Sequence, residues 1–176
     1  MLRQLLVRGF VVAALAASLL PALAAAGDDR DDAASVVHYR KVDVDGVKVF
    51  YREAGDPRKP TILLLHGFPT SSQMYRNLIP MLADRYHVVA PDYPGFGESD
   101  APDRAVFRYT FENLSMVIER FTQKIGLRNY ALYMMDYGAP VGFRLAVRHP
   151  ERVTALIVQN GNAYDEGLRD ANFVSR

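Results

Sequence analysis

The 176-residue chain predicts an α/β domain: a three-layer sandwich in which a mostly parallel sheet is covered by helices on both faces. Three observations carry that prediction. Short, largely apolar runs (residues 62–65, 87–90, 130–135 and 153–159) alternate with stretches of helical period. Runs apolar at nearly every position suit strands buried on both faces, as parallel strands are. The first three runs each lead into a turn-forming loop of the kind found at the C-terminal sheet edge, where ligands bind.

Taken in order, the chain opens with a targeting pattern. Arg3 and Arg8 precede an apolar run from Phe10 to Leu20 broken only by Ser18, then Pro21 and the small-x-small triplet Ala22-Leu23-Ala24. This reads as a signal peptide over residues 1–24, cleaved to leave a periplasmic or secreted protein with no membrane contact. The run is short of the ~20 residues a spanning helix needs. Residues 25–35 are polar and alanine-rich, a disordered lead-in. Val42, Val44, Val47, Val49 and Tyr51 surround Asp45-Gly46, a strong short hairpin signal. After the strand at 62–65 comes a helical stretch from about Ser71 to Tyr86, interrupted at Pro80. The strand at 87–90 ends in Pro91-Asp92-Tyr93-Pro94-Gly95. Leu114, Val117, Ile118, Phe121 and Ile125 recur at helical spacing, predicting a helix over 110–125 stopped by Gly126. A strand over 130–135, a helix from Tyr137 to His149 and a strand from Val153 to Gln159 complete the pattern.

Composition narrows the function. Hydrophobic residues make up 49% and charged residues 23%, enough for an ordinary core. The net charge is +1 with both signs interspersed, so no nucleic-acid partner is expected. There is no cysteine, which removes disulfides, thiolate metal sites and cysteine nucleophiles together. No cofactor or metal is expected, and the partner is a small-molecule substrate.

Asp136 is the candidate catalytic residue. It lies between a strand and a helix, where a sharp turn lifts a side chain above the sheet edge. Gly138 and Gly142 allow the helix to pack closely, and Pro140 falls in its first turn, where a missing N–H costs little. The helix N-terminus favours an ionised carboxylate able to attack carbon. On position alone, a helix cap is an equal alternative. Ser99, in Gly97-Glu98-Ser99-Asp100-Ala101, superficially fits a serine nucleophile. It follows a Pro/Gly loop instead of a strand, and is expected to bond its own backbone.

The loops His66-Gly67-Phe68-Pro69, Pro94-Gly95-Phe96-Gly97-Glu98-Ser99-Asp100 and Asp136-Tyr137-Gly138-Ala139-Pro140 together resemble the α/β-hydrolase fold superfamily. The likeness covers about residues 36–165 and is greatest to the branch of epoxide hydrolases and haloalkane dehalogenases, which uses an aspartate nucleophile. It departs at Met134, where the branch usually carries something smaller. The resemblance implies Asp136 as nucleophile, with the backbone N–H groups of Phe68 and Tyr137 as the oxyanion hole. His66 is then a structural histidine pinning its loop. Haloalkane dehalogenases usually place Asn and Trp where Phe68 and Tyr137 stand, which favours epoxide hydrolysis. Fluoroacetate dehalogenases share the His-Gly-Phe-Pro loop but usually place Arg after the nucleophile.

The family's catalytic acid and histidine base follow the nucleophile. Only His149 does so here, about 12 residues on and ~18 Å along a helix, out of reach. Residues 36–165 are therefore expected to form a partial domain, truncated before the lid and last strands, with Asn162–Leu168 as the lid's first residues. Residues 166–176 read as an irregular tail. The continuous run Thr154–Val158 suits an interior strand, yet no later strand exists to pair with it. Such a chain is expected not to turn over. A non-catalytic remnant is the competing expectation.

Overall fold

The computed structural model describes residues 36–163. The signal peptide, the lead-in and the tail expected from sequence lie outside the described residues. The strands are β1 (His38–Val44), β2 (Val47–Ala54), β3 (Thr61–Leu65), β4 (His87–Pro91), β5 (Tyr130–Met135) and β6 (Val153–Gln159). The α-helices are α1 (Leu78–Ala83), α2 (Phe111–Lys124) and α3 (Gly138–Arg148). The six strands form one sheet in the order β1-β2-β4-β3-β5-β6. β1, β2 and β4 pair antiparallel, while β4, β3, β5 and β6 run parallel.

The hairpin turn falls at Asp45-Gly46, whose φ values of 53° and 89° are those a two-residue primed turn demands. The register Val44↔Val47 follows from that loop length. Alternation along β3 then builds two cores. Leu63 and Leu65 meet Leu114, Ile118, Phe121 and Leu145 of α2 and α3. Ile62 and Leu64 face the other way, against Tyr75, Ile79 and Ala83 around α1. A strand buried on both sides must be apolar at every position, which is why this one reads as a solid run.

α2 begins at Thr110, whose Oγ1 accepts the Asn113 N–H at 3.2 Å. The expected helix over residues 71–86 is instead two pieces. A 3-10 turn spans Ser72–Tyr75, and α1 follows after a break at Arg76-Asn77. Pro80 does not interrupt it. It occupies the first turn of α1, where no intrahelical acceptor awaits its missing N–H.

Among the described residues, β6 is paired on one side only, with β5. Leu156, Ile157 and Val158 are 48%, 44% and 45% exposed, high values for so apolar a run.

Candidate functional site

β3 and β5 are parallel neighbours, with Leu65 opposite Met134, so the loops after them emerge at the same sheet edge. Asp136 follows β5 directly and has φ 49°, a left-handed conformation uncommon outside glycine. Its carbonyl accepts the Ala139 N–H at 2.9 Å, starting α3, and its own N–H donates to Gln159 O at 3.3 Å. Strand and helix thus meet at one sharply bent residue. The bend is possible because α3 sits almost on β3: a Cβ on Gly138 would lie 2.2 Å from the Leu65 carbonyl oxygen. The bulky Met134 is accommodated in the same way, with its sulfur 2.1 Å from where a Gly142 Cβ would stand.

Phe68 and Tyr137 flank Asp136, and their backbone N–H groups converge on a single atom. Phe68 N donates to Asp136 Oδ1 at 2.8 Å and Tyr137 N donates to the same oxygen at 2.7 Å. Oδ2 has no donor among the described residues. The three residues singled out from sequence are therefore brought together, with one carboxylate oxygen held and the other open.

The neighbouring loops are held by buried polar contacts. The carboxylate of Asp92, only 1% exposed, accepts Ser72 N at 2.7 Å and Glu98 N at 2.9 Å. The Ser99 hydroxyl donates to Asp92 O and accepts Phe50 N, both at 2.8 Å, so Ser99 ties the loop to β2. His66 is fully buried; its Nδ1 lies 3.0 Å from Gly67 O and its Nε2 accepts Tyr93 N at 3.2 Å. Burial pushes the His66 pKa down, against a smaller upward pull from its bond to Gly67 and from Asp92. Burial likewise raises the Tyr93 hydroxyl well above its ordinary value, helped by Tyr75 and Asp136. His149 lies at the far end of α3, bonded to Glu119 at 2.9 Å and Glu151 at 3.3 Å.

Beside the site lies a cavity of ≈ 1040 Å³ whose lining includes Phe68, Phe96, Tyr109, Phe111 and Tyr137. The Tyr137 ring stands 5.3 Å from Phe68 and 4.9 Å from Phe111, centroid to centroid. Sequence reasoning missed two parts of this arrangement. Asp92 was read only as part of a turn, although an Asp between prolines at a strand end is a natural acceptor for loop N–H groups. Gly67 was quoted only within its motif, yet a Cβ there would lie 2.7 Å from the Asp136 Cβ.

Comparison with known proteins agrees with this geometry. The family profile described as alpha/beta hydrolase fold matches residues 60–173. An uncharacterized hydrolase of Saccharomyces cerevisiae is 52% identical over 136 residues, covering 77% of this chain and 46% of that protein. A haloalkane dehalogenase of Bradyrhizobium diazoefficiens is 37% identical over 120 residues, 68% of this chain and 38% of its own length. Among solved structures, a loop variant of the haloalkane dehalogenase DbeA from Bradyrhizobium elkanii superposes with a TM-score of 0.67. It is 33% identical, over 70% of this chain and 40% of that one. A membrane phospholipase A superposes at 0.69 with 31% identity, over 75% and 42%. The chain spans less than half the length of these curated relatives. With the profile matched over most of the chain and the sharp strand–helix turn at Asp136, sheet order and site loops in place, the protein belongs to the alpha/beta hydrolase fold family.

Proposed function

We propose that Asp136 is the nucleophile of an epoxide hydrolase-like reaction on a small-molecule substrate. The observation that carries this is the shared acceptor: both N–H groups that an oxyanion hole would use are directed at Asp136 Oδ1. Oδ2 is left to attack an oxirane carbon, forming a C–O ester bond as the ring C–O bond breaks and leaving an alkoxide that takes a proton from solvent water. The product of that step is an ester on Asp136. Attack of water on its Cγ would then place negative charge on Oδ1, where the two N–H groups already wait.

That second step needs a positioned base. The chain has four histidines: His38, His66, His87 and His149. His66 has both ring nitrogens engaged, His87 is bonded to Glu53 and Thr61, and His149 is held by Glu119 and Glu151. His38 opens β1, at the opposite edge of the sheet from β6. The chain alone is therefore expected to form the ester and stop.

Epoxides are preferred to halides because the side chains of Phe68 and Tyr137 present no N–H donor for a departing halide. Carbon–halogen cleavage is the second reading, supported by relatives that carry the name haloalkane dehalogenase. Intact-protein mass spectrometry after incubation with an epoxide, and separately with a bromoalkane, tests both against Asp136→Asn. An epoxide adduct on the wild type alone supports the proposal. Adducts from the bromoalkane only would favour the second reading, and no adduct from either would refute both. We also propose export, on the leader of residues 1–24; N-terminal sequencing of the mature protein tests it.

A further inference from the structure

We propose that His66 is a positioning residue: with its proton on Nδ1, it sets the direction in which the Phe68 N–H points at Asp136. Only the purpose of that N–H rests on the Asp136 reading above.

The Gly67 carbonyl and the Phe68 N–H are the two ends of one peptide unit. In a trans peptide they are coplanar and point in opposite directions, so fixing one end fixes the other. The carbonyl end is held by His66 Nδ1 at 3.0 Å and by Thr70 N at 3.2 Å. The N–H end donates to Asp136 Oδ1 at 2.8 Å. Residue 67 must be glycine, because a Cβ would fall 2.7 Å from the Asp136 Cβ and 2.8 Å from the Met135 sulfur. Glycine is also the residue whose adjoining peptides turn over at least steric cost. The site that demands a glycine here therefore also needs a lock on the peptide that follows it.

The partners of His66 decide its tautomer. A carbonyl oxygen only accepts, so Nδ1 carries the proton; the Tyr93 N–H only donates, so Nε2 is bare. The ring plane is held by Tyr93, 4.2 Å away, and by Phe96 edge-on at 5.4 Å. Burial, which disfavours a second proton, acts in the same sense. His66 thereby links the loop after β4 to the donor after β3. Asp92, the residue before Tyr93, anchors that same loop.

The test uses the full chain labelled with ¹⁵N. Long-range ¹H–¹⁵N spectra should show Nδ1 protonated and Nε2 bare; the opposite tautomer would overturn the proposal without any variant. In His66→Asn the side-chain amide takes the place of Nδ1 and keeps the donor, whereas His66→Leu fills the space without one. Phe68 amide exchange should accelerate ~10-fold or more in the leucine variant, the loss of about one hydrogen bond, and stay near wild type in the asparagine variant. The Tyr137 amide, which His66 does not touch, should be unchanged in both. Equal loss in both variants, or equal loss at Tyr137, would reduce His66 to a packing residue. If the Phe68 amide follows His66 but no epoxide adduct forms, the positioning role stands and the nucleophile proposal falls.

Discussion

Replacing Gly138 by alanine should cost far more than replacing Gly142, although both lie on one face of α3. At 138 the new Cβ would stand 2.2 Å from the Leu65 carbonyl oxygen and 2.9 Å from its carbon. That carbonyl cannot yield easily: it accepts the Tyr75 hydroxyl at 2.9 Å, and β3 is paired on both sides. Reaching the 3.4 Å of ordinary contact requires helix and strand to part by roughly 1 Å. Forced overpacking of this kind costs about 3 kcal/mol at the upper end of its usual range. At 142 the nearest atom is the Met134 sulfur at 2.1 Å, the far part of a flexible side chain. Its rearrangement, about 1–2 kcal/mol, is offset by the ~1 kcal/mol that alanine gains over glycine inside a helix. The expected difference between the variants is therefore about 2–3 kcal/mol. Urea unfolding followed by circular dichroism measures it, with an unchanged m-value confirming that stability alone has moved. Because Tyr137 caps the start of α3 and shifts with it, Gly138→Ala should also lose the epoxide adduct. Equal costs at the two positions, or a Gly138→Ala cost below about 1 kcal/mol, would refute the close helix–strand contact as the basis of the turn.

Three other perturbations address the remaining polar contacts. The His87 hydrogen bond, with the Arg40 ion pair, holds the Glu53 carboxyl below its ordinary 4.5 in spite of burial. Such a group binds fewer protons folded than unfolded, so its stabilisation is complete above about pH 4.5 and is lost as pH falls through the lowered value. Glu53→Gln should therefore flatten the acid side of the urea midpoint against pH and cost roughly 1–2 kcal/mol at neutrality; an unaltered slope would count against it. Arg148 reaches Glu119, Glu112 and Ser115, each at 2.9 Å, joining α3 to α2. Arg148→Met, which keeps the aliphatic stem, should cost about 2 kcal/mol in thermal unfolding, and a cost under ~0.5 kcal/mol would mark the network as energetically idle. Asp92→Ala leaves the Ser72 and Glu98 N–H groups unpaired and should cost about 3 kcal/mol. Hydrogen exchange at those two amides should speed up together, and acceleration of one alone would show that Asp92 is not their common anchor.

Strand positions were legible because burial on both faces writes itself as unbroken apolar runs. β3 and β5 fall within one residue of where those runs placed them. Asp45-Gly46 announced its own turn, since few residue pairs accept the two positive φ values. The insertion of β4 between β2 and β3 was not legible, because strand order depends on pairings between residues distant in sequence. Pro80 misled because proline breaks a helix interior yet suits a first turn, and only the break at Arg76-Asn77 tells which applies. At the candidate site, loop motifs pointed to Asp136, Phe68 and Tyr137, which the fold brings together. What no motif carried was the choice of a single carboxylate oxygen as common acceptor. The Asp92 contacts were invisible for the same reason, and for His66 the loop-pinning role was anticipated but its partners were not: a carboxylate or imidazole announces its chemistry in the sequence, but not which backbone groups will surround it.

The double occupation of Oδ1 has a pharmacological side. Phosphonates, boronates and trifluoromethyl ketones bond covalently to the serine of serine hydrolases and place an oxygen of the resulting tetrahedral adduct in a vacant pair of backbone donors. Here the two backbone donors proposed for that task already bind Asp136 Oδ1, at 2.8 Å from Phe68 N and 2.7 Å from Tyr137 N. An inhibitor bringing its own oxyanion would have to displace a covalently tethered carboxylate and would gain nothing by doing so. On the nucleophile role proposed for Asp136, compounds of that class should pass this site by, and reagents for it are to be designed around an electrophilic carbon within reach of Oδ2.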